Sequence, residues 1–263
     1  MYMPREERPL TDRGRGGHSR AYCELNAAWA IAKKDMRIYF LKPNIIVMGT
    51  LFPLFMFLAF AIGRAAEPAV MIPGLIAITI LFSASSIEPV SIPIERRTRT
   101  FDRLLAAPIS LNTVVLGESL SGFLYAAGIA IVPFAAGIAL FGTPIASIAM
   151  LVTGVLLSSF CFATMGTLFS AYPTERPGDI MSFLNLVRLP LIFISGIFIP
   201  LEAIPPAARV VTYFSPLTYG NDLIGGAYSG VMHFSPSLDI AMLLVFIAIF
   251  QVFAYRLYRK FNE

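Results

Sequence analysis

Charge is scarce in this sequence. Asp, Glu, Lys and Arg make up 14% of its 263 residues, against 57% hydrophobic ones, where soluble domains carry about 25% charged residues. Too few polar side chains remain to cover a soluble surface. The solvent for most of the chain is therefore lipid. Histidine and cysteine number two each. His18, His233, Cys23 and Cys161 are scattered, and no His/Cys/Glu cluster has metal-holding spacing. Cys23 lies in a polar stretch and Cys161 in an apolar one. No disulfide is expected, and Cys161 reads as a small packing residue. The dipeptide Gly-Lys is missing, so no Walker A phosphate loop can be drawn. There is no Gly-x-Ser-x-Gly elbow. The apolar blocks offer neither a Ser/His pair nor two aspartates for intramembrane hydrolysis, so the chain is not read as an enzyme. No cleavable signal is expected either, because the first long apolar run begins at Asn44 and is long enough to span.

What is there is a succession of such runs. A helix needs roughly 20 apolar residues to cross about 30 Å of hydrocarbon. Residues 44–63, 70–92, 180–199 and 239–257 each fit one crossing. Between Ser119 and Thr174 lie 56 residues with no charge at all, too many for one helix. FGTP at 141–144 supplies a turn, which divides the block into helices of about 113–140 and 145–170. The expected fold is all-α: a polytopic membrane protein of six transmembrane helices. Strands are excluded because open edges go unsatisfied in lipid and because short alternating segments are lacking.

Lysine and arginine fix an orientation. With the N-terminus in the cytoplasm, inside segments hold 17 of the 20 basic residues and outside segments hold Arg64 and Arg209. Both termini are then cytoplasmic, as expected of a cell-membrane protein. The net charge of +4 is read as topology and lipid headgroup contact, not as nucleic-acid binding. Residues 1–22 read as a disordered tail, followed by a single membrane domain over 23–263. Within 24–42, Leu25, Ala28, Trp29, Ala32, Met36 and Phe40 recur at helical spacing, with Lys33, Lys34 and Arg37 opposite. This pattern predicts an amphipathic helix on the cytoplasmic leaflet. The stretch 200–238 is too apolar for a free outer loop. It predicts short helices that re-enter the outer leaflet, buried against protein, with Glu202, Tyr219 and Asp222 as candidate gate residues. Three ionisable groups fall in or near lipid. Glu118 and Arg188 read as snorkelling toward the cytoplasmic interface. Glu88, beside Pro89, is expected to face a polar cavity or pair with a base, where Pro89 and Pro93 make the end of the second helix irregular.

One segment interrupts the apolar pattern. IERRTRTFDRLLAAPIS, residues 94–110, packs Glu95, Arg96, Arg97, Arg99, Asp102 and Arg103 into nine residues. Phe101, Leu104 and Leu105 lie on one side of a short helix that Pro108 ends. The segment suits either a solvated connector or a docking element for a soluble protein. ERRTRTFDRLLAAPIS resembles the ERExGTLExLLxxPxS-like segment of export-type (type-2) ABC transporter permeases, the group of drug-resistance and polysaccharide or nodulation-factor exporters. Glu95, Thr100, Asp102, Leu104, Leu105, Pro108 and Ser110 match it. SGIFIPLEAIPPAARVVTYFSPLTYGND, residues 195–222, is similar to a second signature of that family. The pattern departs at Arg99, where glycine is usual; arginine resists a turn that glycine permits.

The resemblance implies a coupling helix, with Glu95, Arg96, Arg97, Arg99, Thr100, Phe101, Asp102, Arg103 and Leu104 fitting a separate ATPase subunit. Lys33, Lys34 and Arg37 would touch it too. ATP and Mg would bind that partner, with no cofactor on this chain, and a second copy of the permease would complete a symmetric dimer. A membrane scaffold that recruits a soluble partner through the charged loop is the alternative. An ion-driven secondary transporter needs ionisable residues near the bilayer midplane, and the first, third, fourth and sixth helices offer almost none.

Overall fold

The computed structural model describes residues 16–55, 68–199, 201 and 205–262. All regular structure among them is helical. In chain order the helices are α1 (Gly16–Tyr39), α2 (Pro43–Ile46, continued by a π-helical turn Val47–Leu51), α3 (Pro68–Ala84), α4 (Ile87–Arg97), α5 (Thr100–Leu105) and α6 (Leu111–Ile129). There follow α7 (Ile131–Phe141), α8 (Ile148–Ser170), α9 (Pro177–Ile194), α10 (Pro206–Thr212), α11 (Pro216–Ser229) and α12 (Pro236–Asn262).

Five stretches are long and apolar enough to cross a membrane: Met71–Arg97, Leu111–Phe141, Ile148–Ser170, Pro177–Ile194 and Pro236–Phe261. The expected first crossing, 44–63, is described only as far as residue 55. The expected tail, 1–22, lies outside the described residues up to residue 15; beyond that it is helical, so α1 starts earlier than the expected 24. Helix starts follow local chemistry. Ser110 and Ser147 are N-caps of α6 and α8, their hydroxyls accepting the backbone N–H of Thr113 and Met150, and these caps move the starts to 111 and 148. Gly196, at φ 85°, lies just past the end of α9, a few residues before the expected 199.

α3 and α4 are the most enclosed crossing, and α6, α8 and α11 pack around it. Outward faces of α7, α8 and α12 expose Ile131, Val132, Ile148, Val152, Leu244 and Phe253. Large apolar side chains facing outward on several helices suit hydrocarbon as solvent. The stretch 200–238 does form short helices, and α11 is buried against α8, α3 and α12.

Pro89 explains where the second crossing breaks. A helical proline clashes with the carbonyl four residues back, here that of Ser85. The helix stops at Ala84 and restarts at Ile87, so Pro89 falls in the first turn of α4, where its missing N–H leaves no gap. The irregularity expected at the cytoplasmic end of this helix instead lies upstream of Glu88.

Candidate functional site

The charged segment divides into inward and outward faces. Phe101 is fully buried among Ile31, Ile92, Val114, Ala254 and Tyr258, with ring centroids 5.9 Å apart for Phe101 and Tyr258. Leu104 packs half-buried against the same cluster. Glu95 is 3% exposed and accepts a hydrogen bond from Lys34 Nζ at 2.6 Å. Of the expected docking set, Glu95 and Phe101 hold the segment to the protein in this structure. Arg97, Arg99, Thr100, Asp102 and Arg103 are exposed, and Arg96 is half-buried.

The turn between α4 and α5 keeps the glycine-like conformation despite the arginine. Arg99 has φ 58° and ψ 18°, alone among described non-glycine residues in its positive φ. The left-handed region costs an L-residue about 1–2 kcal/mol. Thr98 Oγ1 lies 3.0 Å from Thr100 Oγ1 across the turn, and Thr100 Oγ1 donates to the Glu95 carbonyl. The Arg99 guanidinium lies 3.6 Å from Asp102. Both groups are exposed, so this pair contributes little.

Behind the turn lies a buried ionic cluster that spacing alone did not reveal. Lys34 Nζ is 2.6 Å from Glu95, 3.1 Å from Asp35 and 3.6 Å from Glu118. Three carboxylates from α1, α4 and α6 thus surround one ammonium. Tyr39 donates a further bond to Glu95 at 3.4 Å. Burial pulls the Lys34 ammonium down, but Glu118, Asp35 and Glu95 together raise it above the ordinary lysine range. Burial pushes Asp35 up to about 7, with Lys34 opposing and Glu95 adding to the rise. Lys34 therefore turns inward to this cluster, while Lys33 and Arg37 remain exposed. Glu118 is buried and does not snorkel.

α1 reaches this cluster because its inner face is small. Ala28, Ile31 and Ala32 are buried against α6. A Cβ on Gly117 would come within 2.9 Å of Ile31. Glu24 accepts hydrogen bonds from the backbone and hydroxyl of Ser110, at 3.2 and 2.9 Å, and from the Thr113 hydroxyl. The expected apolar stripe thus splits: Ala28 and Ala32 point in, whereas Leu25 and Trp29 stay exposed with Tyr22.

Deeper in the membrane domain, Arg188 occupies the helix break. It is fully buried, which excludes snorkelling. Its Nη2 donates to the Ser85 carbonyl that Pro89 displaces and to Ser86 Oγ at 3.1 Å. Nε donates to Ser85 Oγ at 3.0 Å and Nη1 to Asn185 at 3.2 Å. The guanidinium also lies 5.1 Å over the Phe82 ring. Glu88 is equally buried. Its Oε1 accepts the Gly122 N–H at 3.0 Å, while Oε2 has no partner among the described residues. A Cβ at Gly122 or Gly166 would fall 2.5 or 2.8 Å from that carboxylate. Glu88 therefore sits in a closely packed slot rather than a polar cavity, and it makes no ion pair among the described residues.

At the other end of the domain, Tyr219 is buried and donates to the Tyr213 carbonyl at 2.8 Å. Asp222 accepts the backbone N–H groups of His233 and Phe234 at 2.9 and 2.7 Å. These bonds tie α11 to the start of α12. Glu202 lies outside the described residues. Between α6–α7 and α8 is an apolar cavity of about 430 Å³, lined by Ile76, Ala130, Phe134, Ile148, Leu151 and Val155 among others. It offers a bound molecule contact with hydrocarbon side chains.

A multi-pass helical membrane protein with an anchored charged turn between its crossings is the class these features define. The chain matches the family described as ABC-2 type transporter over residues 26–229, and it belongs to that family. It is 25% identical over 197 residues to the Escherichia coli K12 protein named "Probable multidrug ABC transporter permease YbhR", covering 72% of this chain and 52% of that protein. It is 27% identical over 169 residues to nodulation protein J of Rhizobium leguminosarum bv. trifolii, covering 62% of each. It is also 24% identical over 192 residues to the inner membrane transport permease YadH of Escherichia coli K12, covering 72% of this chain and 74% of that protein. The chain thus spans about half the length of YbhR.

Proposed function

We propose that the chain is the permease subunit of an ABC exporter. It moves an amphipathic or lipid-linked molecule out of the cytoplasm or inner leaflet, driven by ATP hydrolysis on a separate subunit that binds ATP and Mg. One observation carries this reading: the charged turn is fastened from behind. Phe101 is buried in the domain and Glu95 is held by Lys34, so a push on the exposed Arg97, Arg99 and Arg103 passes into α4 and α6 without being lost in a loose loop. Lys33 and Arg37, exposed on α1, extend the same contact or meet lipid headgroups. A second copy of the permease completes the pathway, with both termini in the cytoplasm of a cell membrane. Tyr219 and Asp222 hold the segment that closes its outer end. The name of YbhR, a probable multidrug transporter permease, supports a drug-like cargo, and the hydrocarbon-lined cavity suits an apolar part of one.

The test is a pull-down of the tagged chain from mild detergent, with and without Arg96, Arg97, Arg99 and Arg103 changed to glutamate. A Walker-A ATPase should accompany the wild-type chain and be lost from the variant. If no ATPase accompanies the wild-type chain, or the variant keeps it fully, the coupling role is wrong.

A further inference from the structure

Among the arginines of the charged turn, Arg96 differs from its neighbours. Arg97, Arg99 and Arg103 are exposed, but Arg96 is half-buried. Its guanidinium carbon lies 4.9 Å over the Phe101 ring. Its Nε and Nη2 are shielded from solvent, yet donate no hydrogen bond among the described residues. Shielded donors without an acceptor are costly, and an incoming acceptor removes that cost.

A polar groove of about 270 Å³ opens beside these donors. One wall is Arg96, Arg99 and Asp102; the other is Pro173, Thr174 and Glu175, from the loop joining α8 to α9. That loop is braced by Thr174, whose hydroxyl donates to Asp179 at 3.1 Å and accepts the Arg176 N–H at 3.2 Å. The left-handed turn at Arg99 carries a second guanidinium to the rim of the groove. Arg97 and Arg103 are exposed on the same short segment. Two arginines, Arg96 and Arg99, thus line an opening whose own acids are Asp102 and Glu175.

We propose that this groove receives a carboxylate side chain of the ATPase subunit, held by Arg96 with Arg99 at the rim. The planar fork of arginine suits a carboxylate, and the shielded Arg96 donors, which have no acceptor among the described residues, favour one. The α8–α9 loop thereby becomes the second wall of the docking site. Glu175 opposes the incoming acid and limits its affinity. This inference rests on the docking role of the turn, but it can fail alone.

The experiment titrates the co-purifying ATPase subunit against the detergent-solubilised wild-type chain and its R96Q, R97Q and E175Q variants. R96Q should weaken binding about tenfold, and R97Q by less than about threefold. E175Q should tighten binding a few-fold, a gain that a folding defect does not produce. If R96Q and E175Q both bind like the wild-type chain, the groove is not the contact and docking at the turn still stands. If E175Q weakens binding, Glu175 itself makes the contact and the proposal falls. If no ATPase accompanies the wild-type chain, the docking role and this inference fall together.

Discussion

Lys34 and Arg188 are both turned into the protein, and they are satisfied in opposite ways. Lys34 has three carboxylates within 3.6 Å, more negative charge than it can neutralise. Arg188 has no carboxylate within ion-pair distance among the described residues and is held by hydroxyls, an amide and a broken-helix carbonyl. The first arrangement joins three helices through charge, the second mends a backbone defect through hydrogen bonds. Charge responds to pH and to nearby ions, whereas a hydrogen-bonded clamp does not. The joint next to the charged turn is thus the adjustable one, and the joint in the membrane is the fixed one.

Changing one residue at a time sharpens that contrast. The largest effect is expected from K34M, which leaves Asp35, Glu95 and Glu118 buried without a cation; a loss of about 3–5 kcal/mol follows, seen as a large fall in thermal unfolding temperature in detergent. R188M takes the guanidinium donors away from the Ser85 carbonyl and Asn185 while relieving a buried charge; the Ser85 and Ser86 hydroxyls keep their bonds to the Leu81 and Phe82 carbonyls. A smaller loss of about 1–3 kcal/mol is expected by the same measurement, with the same deficit at pH 5 and pH 8. Equal losses for the two variants would contradict the contrast.

Asp35 gives the pH test. Burial raises it to about 7, so the native chain holds this proton more tightly than the unfolded chain does. Its contribution to stability is full below about pH 4 and is lost as pH rises through about 7. The wild-type unfolding temperature should therefore fall between pH 5 and pH 8, and D35N should flatten that slope by about 2–4 °C. An unchanged slope in D35N would assign the pH response elsewhere. E24Q is the mildest change, because glutamine still accepts at the start of α6 but without charge; about 0.5–1 kcal/mol is expected.

Five of the expected crossings were legible because each is a long apolar run, and Pro89 marked an irregularity in the second, though the break lies upstream of where it was expected. Partners were harder to read. Helical spacing places Lys34 on a face of α1, but only the docking of α1 on α6 decides that this face meets Glu95 and Glu118. Ala28, Ala32 and Gly117 held a usable signal, since small residues permit such close approach. The stripe counted at Leu25, Ala28, Trp29 and Ala32 merged two faces because large and small apolar residues were weighed alike. Arg188 was read as snorkelling because nothing in its own neighbourhood reveals a free carbonyl 103 residues upstream. The turn at Arg99 takes the left-handed backbone that glycine favours although the residue is arginine, which a rule based on glycine alone does not anticipate.

The Glu24–Ser110 joint also imposes an order on synthesis. Ser110 is made 86 residues after Glu24, a wait of roughly 4–17 s at about 5–20 residues per second. Until then α1 has no α6 to rest on, and its small inner face stays open. Biogenesis therefore depends on where a half-made α1 waits. Its outer stripe of Tyr22, Leu25 and Trp29 makes the surface of the membrane the natural place.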